Sequence, residues 1–481
     1  MIKRQSSAFA VPNPTPVLFL MAAILAWNFT GADKSPFSQT AALIVLSVVV
    51  AGLIYLLARR PVLAVIMLIA SGAAARFYVE IFGMKARPEH FAIVLFGLAL
   101  PFWPRKQWEK PYWIFPDLLL VLYIASNLAS SLFMSIAPGK TIRWALQQTL
   151  VILPYFLLRL FCTDYERFRK CFNILLVVGA AQAGIGVFCF LSNLLFGTTF
   201  GIEIEQYGTI PGTFGVAYEA NILGAISAAS FVMMLAVYLK KRRPILLWGT
   251  AITYAGVVVA LARSAIGATV VALACLAVLS IKPKLIDWRA LKVLGGTLLI
   301  STLILIPAVM PLYVERFSTL GVSDVSADYD TVGRIVILAT AVDGIIAHPL
   351  LGNGTASFQL LSSAEDLGFA DLGKGTWIGN TEMRVLHDTG IVGFTLFLCV
   401  AGSLAWRAWK ILKRELRPEL LALLLGCVVY AVTFQATEGT LLAFFWVHFG
   451  LLGCAVSIDQ NSEVNRGASR GFERPSGAAY A

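Results

Sequence analysis

Three arginines and three proton-accepting groups stand in the second half of the chain, where apolar runs surround them. Arg263 lies at a turn between two apolar runs, in the stretch Ala260 to Gly267. An arginine at a membrane boundary is expensive and tends to be functional; the rival reading is a side chain that snorkels to the interface. A guanidinium offers a planar fork of donors that grips phosphate oxygens two at a time. The chemistry it suits is therefore recognition of a diphosphate. Arg334 follows Gly333 at the start of a stretch, Val332–Ile346, with apolar residues at helical spacing. The helix dipole does not favour a cation there, so a ligand or an ion pair with Asp328 or Asp330 is expected to hold it. Arg384 shares a helix start with Glu382, His387 and Asp388. His387 and Asp388 fall three and four residues after it, on the same helix face. Glu382, His387 and Asp388 are the candidate general bases. The alternative is a solvated helix end in which Arg384 and Asp388 satisfy each other.

Further polar groups mark helix ends. Glu219 and Asn221 open a span on an earlier outer connection, where they line a cavity or simply complement the helix dipole. His348 precedes Pro349 in the segment His348–Phe358 and reads as a helix-terminal residue or a catalyst. Asn380 opens the last long segment beside Glu382. Asp117, Gln147, Gln148 and Gln182 lie in apolar runs, where interhelical hydrogen bonding is the expected role. There is no phosphate-binding glycine loop, no dinucleotide fingerprint and no HExxH, so neither nucleotide nor metal chemistry is indicated. The seven cysteines lie in or beside apolar runs without metal-ligand spacing.

The elements that must position these groups follow from composition. Of 481 residues, 58% are hydrophobic and 14% charged, against about 25% charged in soluble domains. The apolar residues fall into about fourteen candidate spans near the ~20 residues a bilayer-crossing helix needs. They lie near 14–30, 39–58, 61–79, 90–103, 115–135, 144–162, 171–196, 217–239, 244–262, 264–281, 290–312, 385–406, 418–437 and 439–457, with the third and fourth weakest. The net charge of +11 first suggests nucleic acid. The basic residues, however, collect in alternate connections, which is the positive-inside pattern of an even number of spans with both termini cytoplasmic. The predicted fold is an all-α polytopic bundle of about 12–14 transmembrane helices with one large, partly helical periplasmic loop. Residues 1–312 form the first spans, about eleven of them; 313–384 the outer loop with its amphipathic helix; 385–457 the last spans; and 458–481 a disordered cytoplasmic tail.

Four segments in order carry a family resemblance: Gly212–Asn221, Arg263–Leu279, Gly333–Phe358 and Asn380–Gly393. In these the chain resembles the O-antigen ligase/polymerase family of bacterial membrane glycosyltransferases. The resemblance implies transfer of a glycan from an undecaprenyl-diphosphate carrier to a sugar hydroxyl at the outer face of the inner membrane, without metal or nucleotide cofactor. It implies diphosphate binding by Arg263 and Arg334; Arg384 is added on chemical grounds alone. Ligases of the family carry a histidine immediately before the asparagine of the fourth segment, and here that position is Gly379. The polymerase branch is therefore favoured, acting on carrier-linked donor and acceptor. A flippase and a chain-length regulator are the expected companions. The alternatives are a ligase acting on lipid A core and a lipid-linked oligosaccharide flippase.

Overall fold

The computed structural model describes residues 36–81, 84–103, 112–204, 211–280, 288–318, 329–361 and 377–472. The expected first span near 14–30 and Asp328 lie outside them. The chain divides into two compact units, Met1–Ala64 with Val94–Trp108, and Val65–Ile93 with Glu109–Ala481. In the first, helix α1 (Pro36–Arg59) packs on a short turn of 3-10 helix at Leu100–Phe102, and Phe96 tilts against Trp103 at 5.4 Å.

The second unit holds two small antiparallel hairpins and the helices from Phe115 onward, while the two helices flanking the first hairpin are each divided at the unit boundary. Helix α2 (Pro61–Ala73) leads to β1 (Val79–Ile81) and β2 (Met84–Ala86), paired with Val79 opposite Ala86, and α3 (Pro88–Ala99) follows. The weak third and fourth spans are thus two short helices with a ribbon between them. Arg76, Glu80, Lys85 and Arg87 put four charges into one stretch that cannot lie in hydrocarbon, and Pro88 restarts the helix where its missing N–H costs nothing.

Next come α4 (Phe115–Phe133), α5 (Pro138–Phe161) and α6 (Tyr165–Phe196); then β3 (Ile202–Ile204) pairs with β4 (Pro211–Thr213). Asp164 caps α6 by accepting from Arg167 N at 2.9 Å. Helices α7 (Ala220–Lys241), α8 (Pro244–Val259), α9 (Arg263–Ser280) and α10 (Trp288–Ser318) complete the first group. After α11 (Tyr329–Ala347) and the single turn α12 (Phe358–Leu361) come α13 (Thr381–Arg414), α14 (Pro418–Thr433) and α15 (Ala443–Phe472).

Among the described residues, seven helices are long and apolar enough to cross a membrane, or eight if Val48–Arg59 and Pro61–Ala73 form one bent span. Four apolar helices are shorter: Pro88–Phe102, Pro244–Val259, Arg263–Leu279 and Pro418–Thr433. The chain is therefore an all-α polytopic protein. Apolar runs overcount full-length spans because helices of 12 to 18 residues are as hydrophobic as the long ones.

Helix α7 is the centre. Its membrane-length window is wholly buried, and α6, α8, α9 and α14 pack around it. Helix α13 packs on α4, α11 and α15, and α15 packs on α5. Asp117 and Arg159 form a buried ion pair at 2.9 Å, and Tyr155 donates to the other Asp117 oxygen at 2.7 Å. Gln148 donates to Tyr123 OH at 3.1 Å. These polar groups join α4 to α5, as expected for buried polar side chains in a bundle.

Two features differ from expectation, one a boundary and one a packing direction. Helix α15 runs beyond 457 to Phe472, and Arg414 and Arg417 reach Asp459 at 2.6 and 3.2 Å. The expected amphipathic helix is present as part of α11, but most of its stripe faces outward. Ile335, Val342 and Ile346 are exposed, while Ile337, Leu338 and Ala341 pack with Phe358, Ile378 and Met383. In a polytopic chain an apolar face marks an outer surface as readily as a core.

Candidate functional site

The segment after α11 closes back onto α13. Asn353 N donates to His387 O at 2.9 Å and Gly354 N to Asp388 O at 3.0 Å; in return Ile391 N donates to Pro349 O at 2.8 Å and Val392 N to Leu350 O at 3.2 Å. Helix α13 breaks at Gly390, which takes φ +62°. A Cβ at Gly390 would overlap the backbone of Leu350 and Leu351, and one at Gly352 (φ +72°) the backbone of Asp388 and Thr389. Glycine is required at both positions, for the left-handed conformation and for the close approach. Ser130 of α4 clasps the same junction, donating to Asp388 O at 2.6 Å and accepting from Gly354 N at 3.0 Å.

Below this junction lies a buried charge cluster. Each of the three guanidinium nitrogens of Arg384 donates to protein: Nε to Glu438 at 2.8 Å, Nη1 to Asp388 Oδ2 at 2.9 Å, and Nη2 to Thr440 at 2.6 Å. The same Asp388 oxygen accepts from Ala356 N at 2.9 Å, and His387 Nδ1 lies 3.1 Å from the other Asp388 oxygen. Arg384, His387 and Asp388 are each no more than 2% exposed.

Two of the three partners of Arg384, Glu438 and Thr440, belong to the connection between α14 and α15, Phe434–Leu442, where four elements converge. Thr381 N donates to Phe434 O at 2.9 Å, and Asn380 Nδ2 reaches Gln435 Oε1 at 3.1 Å. Arg334 Nη1 donates to Ala436 O at 2.6 Å. Thr437 donates to Glu219, and Arg87 Nη2 donates to Leu441 O at 2.8 Å. Glu438 also accepts from Thr440 N at 2.6 Å.

This connection walls a cavity of about 610 Å³. Arg334, Arg87 and Lys85 supply cationic groups to its lining, Glu219 and Glu438 carboxylates, and Asn221, Asn380, Gln147 and Gln435 neutral polar groups. Trp144 and Trp377 meet edge to face at 5.4 Å in the wall, near Tyr78 and Tyr218. Lys85 Nζ sits 4.8 Å from the Tyr78 ring centre, and Arg87 is also paired with Glu89 at 2.9 Å. Asn380 caps α13 by accepting from Met383 N at 2.9 Å.

The structure thus brings Arg334, Glu219, Asn221 and Asn380 to one cavity. Arg384, His387 and Asp388 are not in its lining; they form the buried clasp behind it. Glu382 faces a second cavity and accepts from Gln435 Nε2 at 2.7 Å. His348 is exposed at the end of α11. Arg263 opens α9, outside the lining, but its neighbours Ala262 and Ala265 lie where a Cβ on Gly224 would fall, one turn along α7 from Asn221. Lys85, Arg87, Trp144, Trp377, Gln435 and Glu438 were not singled out in the sequence. A usable signal existed for one of them: Glu438 is the one acidic residue between 420 and 458.

Residues 248–398 match the family model described as O-antigen ligase. The match supports membership in the O-antigen ligase/polymerase family without choosing a branch. It spans Arg263, Arg334, Asn380 and the α13 junction, while Glu219 and Phe434–Leu442 lie outside it. No curated protein matches the chain.

Proposed function

We propose that this protein polymerises undecaprenyl-diphosphate-linked oligosaccharide repeat units at the periplasmic face of the inner membrane, with both termini in the cytoplasm. The observation that carries the reading is the cavity, where three cationic residues, two carboxylates and paired tryptophans share one volume. Aromatic rings offer flat apolar faces with polar surroundings. A sugar ring, apolar on its C–H faces and polar at its rim, fits such a wall.

In the proposed reaction the acceptor hydroxyl gives its proton to Glu219 while its oxygen forms a bond to the donor's anomeric carbon. The bond from that carbon to the diphosphate oxygen breaks, and the electron pair leaves with the diphosphate. Arg334, in the lining, binds that leaving group, with Arg263 given the same role by the family resemblance alone, and stabilising its growing charge lowers the barrier. Glu219 is preferred as the base over Glu382, His387 and Asp388 because it lines the cavity. Glu438 lines it too, and its pairing with Arg384 gives it the structural role of anchoring the Phe434–Leu442 connection. Gly379, where ligases carry histidine, lines the same cavity, which favours the polymerase branch.

Removal of the protein tests the reading through the lipid-linked intermediate that accumulates. Single repeat units on the carrier are the expected result. Full-length polymer on the carrier would make the chain a ligase instead, and unchanged lipid-linked pools would overturn transferase function.

A further inference from the structure

Gly379 is the one glycine in the lining of the cationic cavity. At Gly352 and Gly390 a positive φ and a close backbone approach demand glycine. Neither demand holds at Gly379. Its φ lies outside the left-handed region, and a Cβ there meets nothing within 4 Å. A side chain at this position would therefore stand in the cavity itself. The space left open is bounded by uncharged groups. Trp377, two residues earlier, meets Trp144 edge to face at 5.4 Å. Gln147 follows Trp144 by three residues on α5, on the same helix face. Asn380 follows Gly379 and reaches Gln435 Oε1 at 3.1 Å. All of them line the cavity.

Three polar groups in this patch are unengaged. Among the described residues, the indole N–H groups of Trp144 and Trp377 and the side-chain amide of Gln147 make no hydrogen bond. The buried Trp446, by contrast, donates to Thr440 O at 2.7 Å. An indole gives one donor, and a glutamine amide gives donors and an acceptor. Together they complement a ring of hydroxyls, and the indole faces suit the ring's C–H side. None of these residues is charged, so the patch offers nothing to an anionic group.

The charged groups lie further along the Phe434–Leu442 connection. Ala436 holds Arg334, Thr437 holds Glu219 and Leu441 holds Arg87. In a one-step displacement the entering hydroxyl and the leaving diphosphate take opposite sides of the anomeric carbon, with their orbitals in line. The diphosphate goes to the arginines, so the hydroxyl enters from the uncharged end. A donor's reacting sugar is bonded to its own diphosphate. An acceptor's reacting sugar stands at the other end of its repeat unit, away from any phosphate, and fits a subsite without cations.

We infer that Trp144, Gln147, Trp377 and the opening at Gly379 form the acceptor subsite, which seats the uncharged terminal sugar of the acceptor with its hydroxyl turned toward Glu219. The subsite presupposes the transfer reading, but its occupancy is measurable without transfer. The probe is a tritiated methyl glycoside of the repeat unit, made from the carrier-linked glycan by cleaving its diphosphate bond. It carries the acceptor hydroxyl and no diphosphate, so it binds only as an acceptor. Equilibrium binding to the full-length protein in nanodiscs is compared with that of tritiated undecaprenyl diphosphate.

Saturable glycoside binding to wild type is expected. Gly379→Val should weaken it at least tenfold and leave binding of undecaprenyl diphosphate within twofold. Gln147→Leu, which removes the free amide without adding bulk, should weaken it at least fivefold and serves as the second variant should the first fold poorly. No saturable binding to wild type, undiminished binding in the folded variants, or equal loss of both ligands would overturn the subsite. Glycoside binding that is lost as expected, in a protein that transfers no glycan, would leave the subsite standing and sink the transfer reading alone.

Discussion

Arg384 donates from Nε to Glu438 at 2.8 Å across 54 residues of sequence, with side-chain exposures of 2% and 9%. The pair fixes the connection Phe434–Leu442 to the start of α13, and with it a wall of the candidate site. Breaking a buried pair by removing one partner costs about 3–5 kcal/mol, because the other charge stays buried without compensation. Arg384→Ala should therefore destabilise the protein by about that amount, in thermal unfolding of the detergent-solubilised chain. Arg384→Lys should recover only part, since one ammonium cannot reach Glu438, Asp388 and Thr440 in the same geometry. An Arg384→Ala protein as stable as wild type, but unable to bind donor, would return this residue to the diphosphate.

Glu219 is the proposed base, and general-base catalysis contributes about 10²–10⁴-fold. Glu219→Gln should lower kcat for chain extension by at least 10²-fold while the KM for the carrier-linked donor stays within a few-fold of wild type. A comparable rise in KM with kcat retained would make Glu219 a binding residue.

The two arginines given to the diphosphate are separable by variant. A hydrogen bond to a charged group contributes about 1.5–3 kcal/mol, so Arg334→Ala should raise the donor KM by roughly 10- to 100-fold. If recognition is two-pronged, Arg334→Lys will be nearly as impaired. Arg263→Ala and Arg263→Lys are read best as chain-length ladders of the cognate glycan. Shortened ladders are expected in both, and normal ladders in both would remove Arg263 from the mechanism.

Gly352→Ala and Gly390→Ala place a methyl group against backbone, at positive φ in both cases. Each should destabilise the chain by more than the ~1–2 kcal/mol of the left-handed conformation alone. Gly295→Ala, where a Cβ meets open space inside α10, is the contrast and should gain up to ~1 kcal/mol from helix propensity. Thermal unfolding of the three variants checks the ordering.

Apolar runs and their prolines made most helices legible, because length and hydropathy are local properties. Packing direction was not. Ile335, Val342 and Ile346 keep helical spacing whether they face a core or an outer surface. Nor was the role of Arg384, His387 and Asp388, since i,i+3 and i,i+4 spacing is the same for a catalytic group and a buried clasp. Arg334, Glu219, Asn221 and Asn380 were legible singly, as polar groups near helix starts beside apolar runs, but their meeting at one cavity was not, because it depends on packing between helices far apart in sequence. Gln435, Thr437, Glu438 and Thr440 escaped notice because two strongly hydrophobic windows averaged them away. Lys85 and Arg87 escaped because their stretch looked like a failing span rather than a ribbon.

The backbone stitching of residues 349–354 to residues 387–392 carries an evolutionary corollary. Its bonds run between main-chain N–H and carbonyl groups, which every residue type but proline can supply in full. Side chains that the stitch does not use, such as the exposed Leu350 and Ile391, are therefore expected to drift among related chains. Gly352 and Gly390 are expected to stay, because their positive φ and close backbone approach admit no other residue. Drift in composition around two fixed glycines is the signature such a junction leaves in a lineage.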